Sequence, residues 1–150
     1  MAVSRALKRL LRIRELEEEQ SRLALESALG ELRELERALH RSAERGRLVR
    51  QLMAAGVETG ELADRLAGLA EACAAARAAE WLAGRRPAAE REVEEQREEF
   101  LVSKTERRQA ETLIDAVETR DAIEAERKAQ YGLDDWHRSR RRPAGNGSPD

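Results

Sequence analysis

Residues 7–53, LKRLLRIRELEEEQSRLALESALGELRELERALHRSAERGRLVRQLM, decide the fold. Read from Leu7 in alternate steps of four and three, they give Leu7, Leu11, Arg14, Glu18, Ser21, Leu25, Ala28, Leu32, Leu35, Leu39, Ser42, Gly46, Val49 and Met53. Nine of these fourteen positions are apolar and the phase holds throughout, which is the period of a coiled-coil strand. With 39% of the chain charged, such a strand has only its seam to bury. It needs a partner helix, and contact with other proteins is the expected work of the chain.

Composition agrees with long helices. The 150 residues hold four aromatics, Trp81, Phe100, Tyr131 and Trp136, and three prolines, Pro87, Pro143 and Pro149. Too few large side chains are present for a thick globular core, whereas Ala, Leu, Glu and Arg dominate. The sustained phase argues against disorder, the alternative that so charged a chain raises.

Helix breakers divide the chain. A first helix is expected over about residues 3–55, roughly 80 Å at 1.5 Å per residue. A turn follows at 56–60, where Gly56 and Gly60 flank a candidate N-cap, Thr59. A second helix is expected over about 61–83, with a kink or short break at Gly84-Arg85-Arg86-Pro87 and renewed helix over about 88–138. Before the kink the apolar row reads Leu62, Leu66, Leu69, Cys73 and Ala76. After it, Val93, Gln96, Phe100, Ser103, Arg107, Ala110, Ile114 and Val117 repeat the spacing in a phase shifted by one residue. On this reading the lone Cys73 is a small core residue in a reducing compartment.

Two seams joined by a short turn favour an antiparallel hairpin within one chain, because closing so local a loop costs little entropy. The expected fold is therefore all-α, a long antiparallel two-helix coiled-coil hairpin forming one domain over residues 1–142, its second arm kinked near Gly84–Pro87. The longer second arm should project past the N-terminus, and residues 143–150 should form a disordered tail. A monomer is favoured over a homodimer, although the same seams would also fit an arm-swapped dimer.

The seams are interrupted by Arg14, Glu18 and Ser21 on one strand and by Arg107, Asp121 and Glu124 on the other. Such residues either fix register or mark a wet stretch of interface. A second apolar patch, Ile13, Leu16 and Leu23, lies roughly opposite the first seam and suits a third partner or the chain's own projecting arm. Basic residues gather at Arg5, Lys8, Arg9 and Arg12, and again at Arg138, Arg140, Arg141 and Arg142. They read either as docking sites for acidic protein or phospholipid surfaces, or as solvated basic ends.

Other function classes find little support. A basic segment beside a leucine seam outlines a zipper transcription factor, but this one is short, lacks a base-reading pattern and belongs to a chain of net charge −2. His40 and His137 are far apart, no glycine-rich phosphate loop is present, and one Cys with two distant His does not make a metal site. No enzyme activity, cofactor, metal or nucleic-acid partner is expected. The opening segment lacks the apolar core and cleavage site of a secretory signal, and a cytoplasmic location follows.

The two ends carry a resemblance. The opening Leu7-Lys8-Arg9-Leu10-Leu11-Arg12-Ile13-Arg14-Glu15-Leu16-Glu17-Glu18-Glu19-Gln20 resembles the N-terminus of the FliJ family of flagellar type III export proteins. Arg127-Lys128-Ala129-Gln130-Tyr131-Gly132-Leu133-Asp134-Asp135-Trp136 resembles that family's C-terminal segment. The resemblance implies a two-helix stalk similar to the shaft of rotary ATP synthases. It also implies a non-enzymatic role that couples a partner's ATP hydrolysis to protein export, through contacts with the export ATPase ring, the cytoplasmic domain of the export gate and export chaperones. Location would be cytoplasmic and peripheral at the inner membrane, through the gate. By matching position, Leu133, Asp134, Asp135 and Trp136, with Tyr131 beside them and the face from Leu7 and Leu11 to Leu16, become candidates for ring contact. Trp136 would either anchor in a partner pocket or fold back on Leu7 or Leu10. An injectisome stalk protein and a structural coiled-coil scaffold dimer are the alternatives.

Overall fold

The structure, a computed structural model, describes residues 5–56 and 62–141. Two helices account for all of them: α1, Arg5–Gly56, of 52 residues, and α2, Leu62–Arg141, of 80 residues. They pack against each other as an antiparallel hairpin. The expected cap at Thr59, the rest of the expected turn beyond Gly56, the tail at 143–150 and Arg142 lie outside the described residues.

Among the described residues the pairing forms two compact units, one of residues 5–16 with 104–141 and the other of residues 17–56 with 62–103. In the second unit the partners run in opposite directions. The Ser21 hydroxyl lies 2.8 Å from that of Ser103, Glu36 meets Arg86 at 3.5 Å, Arg45 pairs with Glu71, and Gly46 faces Ala75. In the first unit, the guanidinium of Arg14 donates to Glu106 Oε2 at 2.7 Å.

The α1 seam is where the spacing places it. All fourteen positions from Leu7 to Met53 are buried or half-buried, with Ala28 and Gly46 the most enclosed. The α2 seam from Val93 to Val117 likewise turns inward at every position, and Val93 and Ala110 are buried. A two-helix hairpin has one interface, so most large side chains are only half covered. Among the described residues the buried apolar side chains are Ala28, Ala75, Val93 and Ala110, where small volume lets the helices approach.

The first part of α2 departs from the sequence reading in the row that it turns inward. Leu62, Leu66 and Leu69 are 73%, 58% and 52% exposed, and Cys73 and Ala76 are exposed as well. The inward row is instead Gly68, Ala72, Ala75, Ala79, Leu82 and Ala89, which keeps the four-three phase of Val93 without the one-residue shift. The reason is steric. The two helices lie close together here, Ala75 Cβ standing 3.8 Å from where a Cβ on Gly46 would be and Met53 Cγ 2.8 Å from one on Gly68, so small residues on α2 are the ones with room against α1. Leucine is the more hydrophobic row, but alanine and glycine are the row that fits.

At 84–87, where a kink or short break is expected, there is no break. The helix continues through these residues, with Pro87 inside α2 and exposed. Proline cannot donate to the carbonyl four residues earlier, on Ala83, so one ladder bond is missing. The helical turns on either side hold their seam contacts and carry the backbone across. Gly84 and Gly132 are also helical, and neither would meet a neighbour within 4 Å if it bore a Cβ.

Candidate protein-interaction surfaces

The projecting end of α2 is the most distinctive surface. Every residue from Ala122 to Arg141 is exposed, twenty residues that span about 30 Å of helix. Beyond Val117 the seam positions become Asp121, Glu124 and Lys128, which have no apolar side chain to offer a partner helix. The end therefore projects because its seam stops, as the sequence implies.

This segment carries Tyr131, Leu133 and Trp136, which are 69%, 60% and 48% exposed, and the exposed pair Asp134 and Asp135. Trp136 finds its ring contacts on its own helix. The guanidinium carbon of Arg140 stands 4.2 Å from its ring centroid, and His137 meets it edge to face at 5.0 Å. A cation over an aromatic face shields one side of the ring, so Trp136 rests on its own turn of helix rather than on Leu7 or Leu10. The Ser139 hydroxyl donates to the Trp136 carbonyl at 2.8 Å. Ala122, Ala125, Ala129, Gly132 and Trp136 also share one face of this segment at four-three spacing, a row that reading along the main seam passes over.

The other expected surface residues divide. Leu7 and Leu11 are half-buried in the seam, so they hold the hairpin together. Ile13 and Leu16 are 47% and 52% exposed, and Leu23 is 52% exposed, in keeping with a face turned away from the seam. Arg5, Lys8, Arg9 and Arg12 are exposed, and Arg12 approaches Glu15 at 3.7 Å. Arg138, Arg140 and Arg141 are exposed at the end of α2, where positive charge complements the carbonyl end of the helix.

Both seam arginines have carboxylate partners. Arg14 pairs with Glu106, and Arg107 with Glu111 one turn on. Ser21 Oγ is also 2.5 Å from the Glu17 carbonyl oxygen. With one proton on its hydroxyl, Ser21 satisfies both neighbours by donating to that carbonyl and accepting from Ser103. On the outer face, Arg22 bridges Glu19 and Glu26 at 2.6 and 2.8 Å. The hydrogen bond from Arg22 holds the Glu19 carboxyl below its ordinary range.

One aromatic escaped the sequence reading. Trp81 is 63% exposed on α2, with Arg85 5.0 Å from its ring centroid one turn later. The i,i+4 spacing of an arginine after a tryptophan could have signalled this, as it does at Trp136 and Arg140. Among the described residues, no helix is long and apolar enough to cross a membrane. Comparison with family models, with curated proteins and with solved structures finds no match.

Proposed function

We propose that this chain is a non-enzymatic stalk and escort component of the flagellar type III protein export apparatus. In this reading it binds the export ATPase ring, the export gate and export chaperones, and promotes ring assembly and protein export. The observation that carries the reading is the uncovered end of α2, where Tyr131, Leu133 and Trp136 stand exposed among charged residues. Aromatic side chains on an otherwise charged surface are the usual anchors of a protein interface. The FliJ-like sequence at both ends and the two-helix hairpin between them support the same reading.

The hairpin suits a stalk because its pairing is complete within one chain, leaving one helix end free for a partner. The test is ATP turnover by the export ATPase of the same organism, with and without the purified protein. Stimulated turnover with ring assembly supports the stalk reading, and unchanged turnover with no association overturns it. A second reading, a structural coiled-coil scaffold with no ATPase partner, is favoured by one specific feature, the outward leucine row on α2.

A further inference from the structure

The first turns of α1 carry charge that the hairpin does not use. From Arg5 to Arg14 the chain holds five bases, Arg5, Lys8, Arg9, Arg12 and Arg14, and no acid. Arg14 turns to the seam and pairs with Glu106, whereas the other four are exposed. Arg12 approaches Glu15 at 3.7 Å. Among the described residues, Arg5, Lys8 and Arg9 pair with no carboxylate. At about 100° per residue, Arg5, Arg9, Arg12, Ile13 and Leu16 fall within an arc of about 100°, centred opposite the seam positions Leu7, Leu11 and Arg14. Ile13 and Leu16 are 47% and 52% exposed on it.

We infer that this outer face of α1, over residues 5–16, binds an anionic phospholipid surface. Bases interleaved with large apolar side chains on one arc make an interfacial segment, in which the cations meet lipid phosphates and the apolar chains enter the acyl boundary beneath them. Charge complementarity selects the sign of the occupant, since the arc carries no carboxylate. The two apolar residues select its kind. A nucleic-acid backbone would satisfy the bases and leave Ile13 and Leu16 in water, whereas a bilayer takes both. Protein interfaces centre on aromatic anchors, and the arc has none. The extent of the site is also legible. The next turns of the same arc hold Gln20, Leu23, Ser27, Glu31 and Glu34 and no base.

The inference goes beyond the export reading and does not rest on it. That reading brings the chain to a membrane through the export gate, whereas here α1 makes the contact itself, with residues apart from the exposed end of α2. Vesicles hold no export component, so either reading can fail alone.

The test is co-sedimentation of the full chain with vesicles of phosphatidylglycerol and phosphatidylcholine in equal parts, and with vesicles of phosphatidylcholine alone, at about 0.1 M salt. The expected result is binding to the anionic vesicles only, weakened as salt rises. Arg5→Gln with Arg9→Gln should lower the partition coefficient about thirtyfold, the usual contribution of two bases near an anionic surface. Ile13→Gln with Leu16→Gln, which leaves the net charge unchanged, should lower it about tenfold. Arg33→Gln with Arg41→Gln removes as much charge from exposed positions elsewhere on α1 and should bind as the parent does. Circular dichroism checks that each variant keeps its helical signal. No binding to anionic vesicles overturns the inference. So does an equal loss in the Arg33 and Arg41 variant, or unchanged binding in the Ile13 and Leu16 variant, either of which reduces the attraction to charge alone. Displacement from the vesicles by duplex DNA or polyglutamate at equal charge concentration also overturns it, being the result expected of a nucleic-acid or acidic-protein site.

Discussion

A Cβ placed on Gly68 would stand 2.8 Å from Cγ of Met53 and 3.3 Å from its sulfur. This glycine makes room for the last large seam residue of α1 before the helix ends at Gly56. Gly68→Ala should therefore lower stability by about 1 kcal/mol, the overpacking penalty exceeding the gain in helix propensity. Gly46→Ala should behave oppositely. Its Cβ would meet Ala75 at an ordinary 3.8 Å, and the variant should gain up to about 1 kcal/mol. Thermal unfolding by circular dichroism would check both, with a Gly68→Ala, Met53→Ala double variant showing whether the two sites are coupled.

Pro87 offers a larger gain. It is exposed and helical, so replacing it removes no packing and restores the missing bond to Ala83. Pro87→Ala should raise stability by about 1 to 3 kcal/mol. An unchanged unfolding midpoint would mean that the backbone already deviates enough at this point to make the bond unnecessary.

The pairing of Arg14 with Glu106 is partly solvated, with side chains 32% and 38% exposed. Reversing one charge by Glu106→Arg should cost about 1 kcal/mol, and adding Arg14→Glu should recover most of it. The single variant's deficit should shrink in high salt, as screening weakens the new repulsion.

Residues after Asp121 add no seam burial. A chain ending at Asp121 should keep the parent's unfolding midpoint while its total helical signal falls by the length removed. In the full chain, Trp136→Ala should leave helicity near normal and weaken capture of the export ATPase in a pull-down. Equal capture by parent and variant would remove Trp136 from the proposed interface.

Much of this architecture is legible in the sequence, and the exception is instructive. The seam from Leu7 to Met53 and that from Val93 to Val117 could be read directly, because each helix there has one sustained row, with off-seam apolar residues such as Ile13, Leu16 and Leu113 scattered among charged ones. Residues 62–79 offered two rows, and hydrophobicity pointed to the leucines. Volume matching against α1 selected the alanines, a relation between two segments that neither displays alone. Following the Val93 phase backwards through Pro87 would have found the row. Proline hid that continuity, since its local preference for ending a helix is overridden here by seam contacts before and after it.

The surface residues follow a similar division. Exposure of Tyr131, Leu133 and Trp136 could be anticipated because the heptad pattern ends before them, leaving nothing on α1 for them to meet. The stacking of Arg140 on Trp136 depends on side-chain rotamers, which spacing permits without specifying. For Leu7 and Leu11, a single residue was asked to serve both a seam and a partner, and the seam occupies it.

The bare end of α2 has a thermal consequence. A segment of twenty residues without tertiary burial follows helix–coil statistics, near the length at which isolated helices are marginal in water. Gly132 within it lowers propensity further. On warming, this end should unwind gradually from its terminus while the paired region still melts as a unit, so the ellipticity of the intact chain should slope downward well before its main transition. A partner that clasps the end would flatten that slope, by supplying from outside the burial that the chain itself withholds.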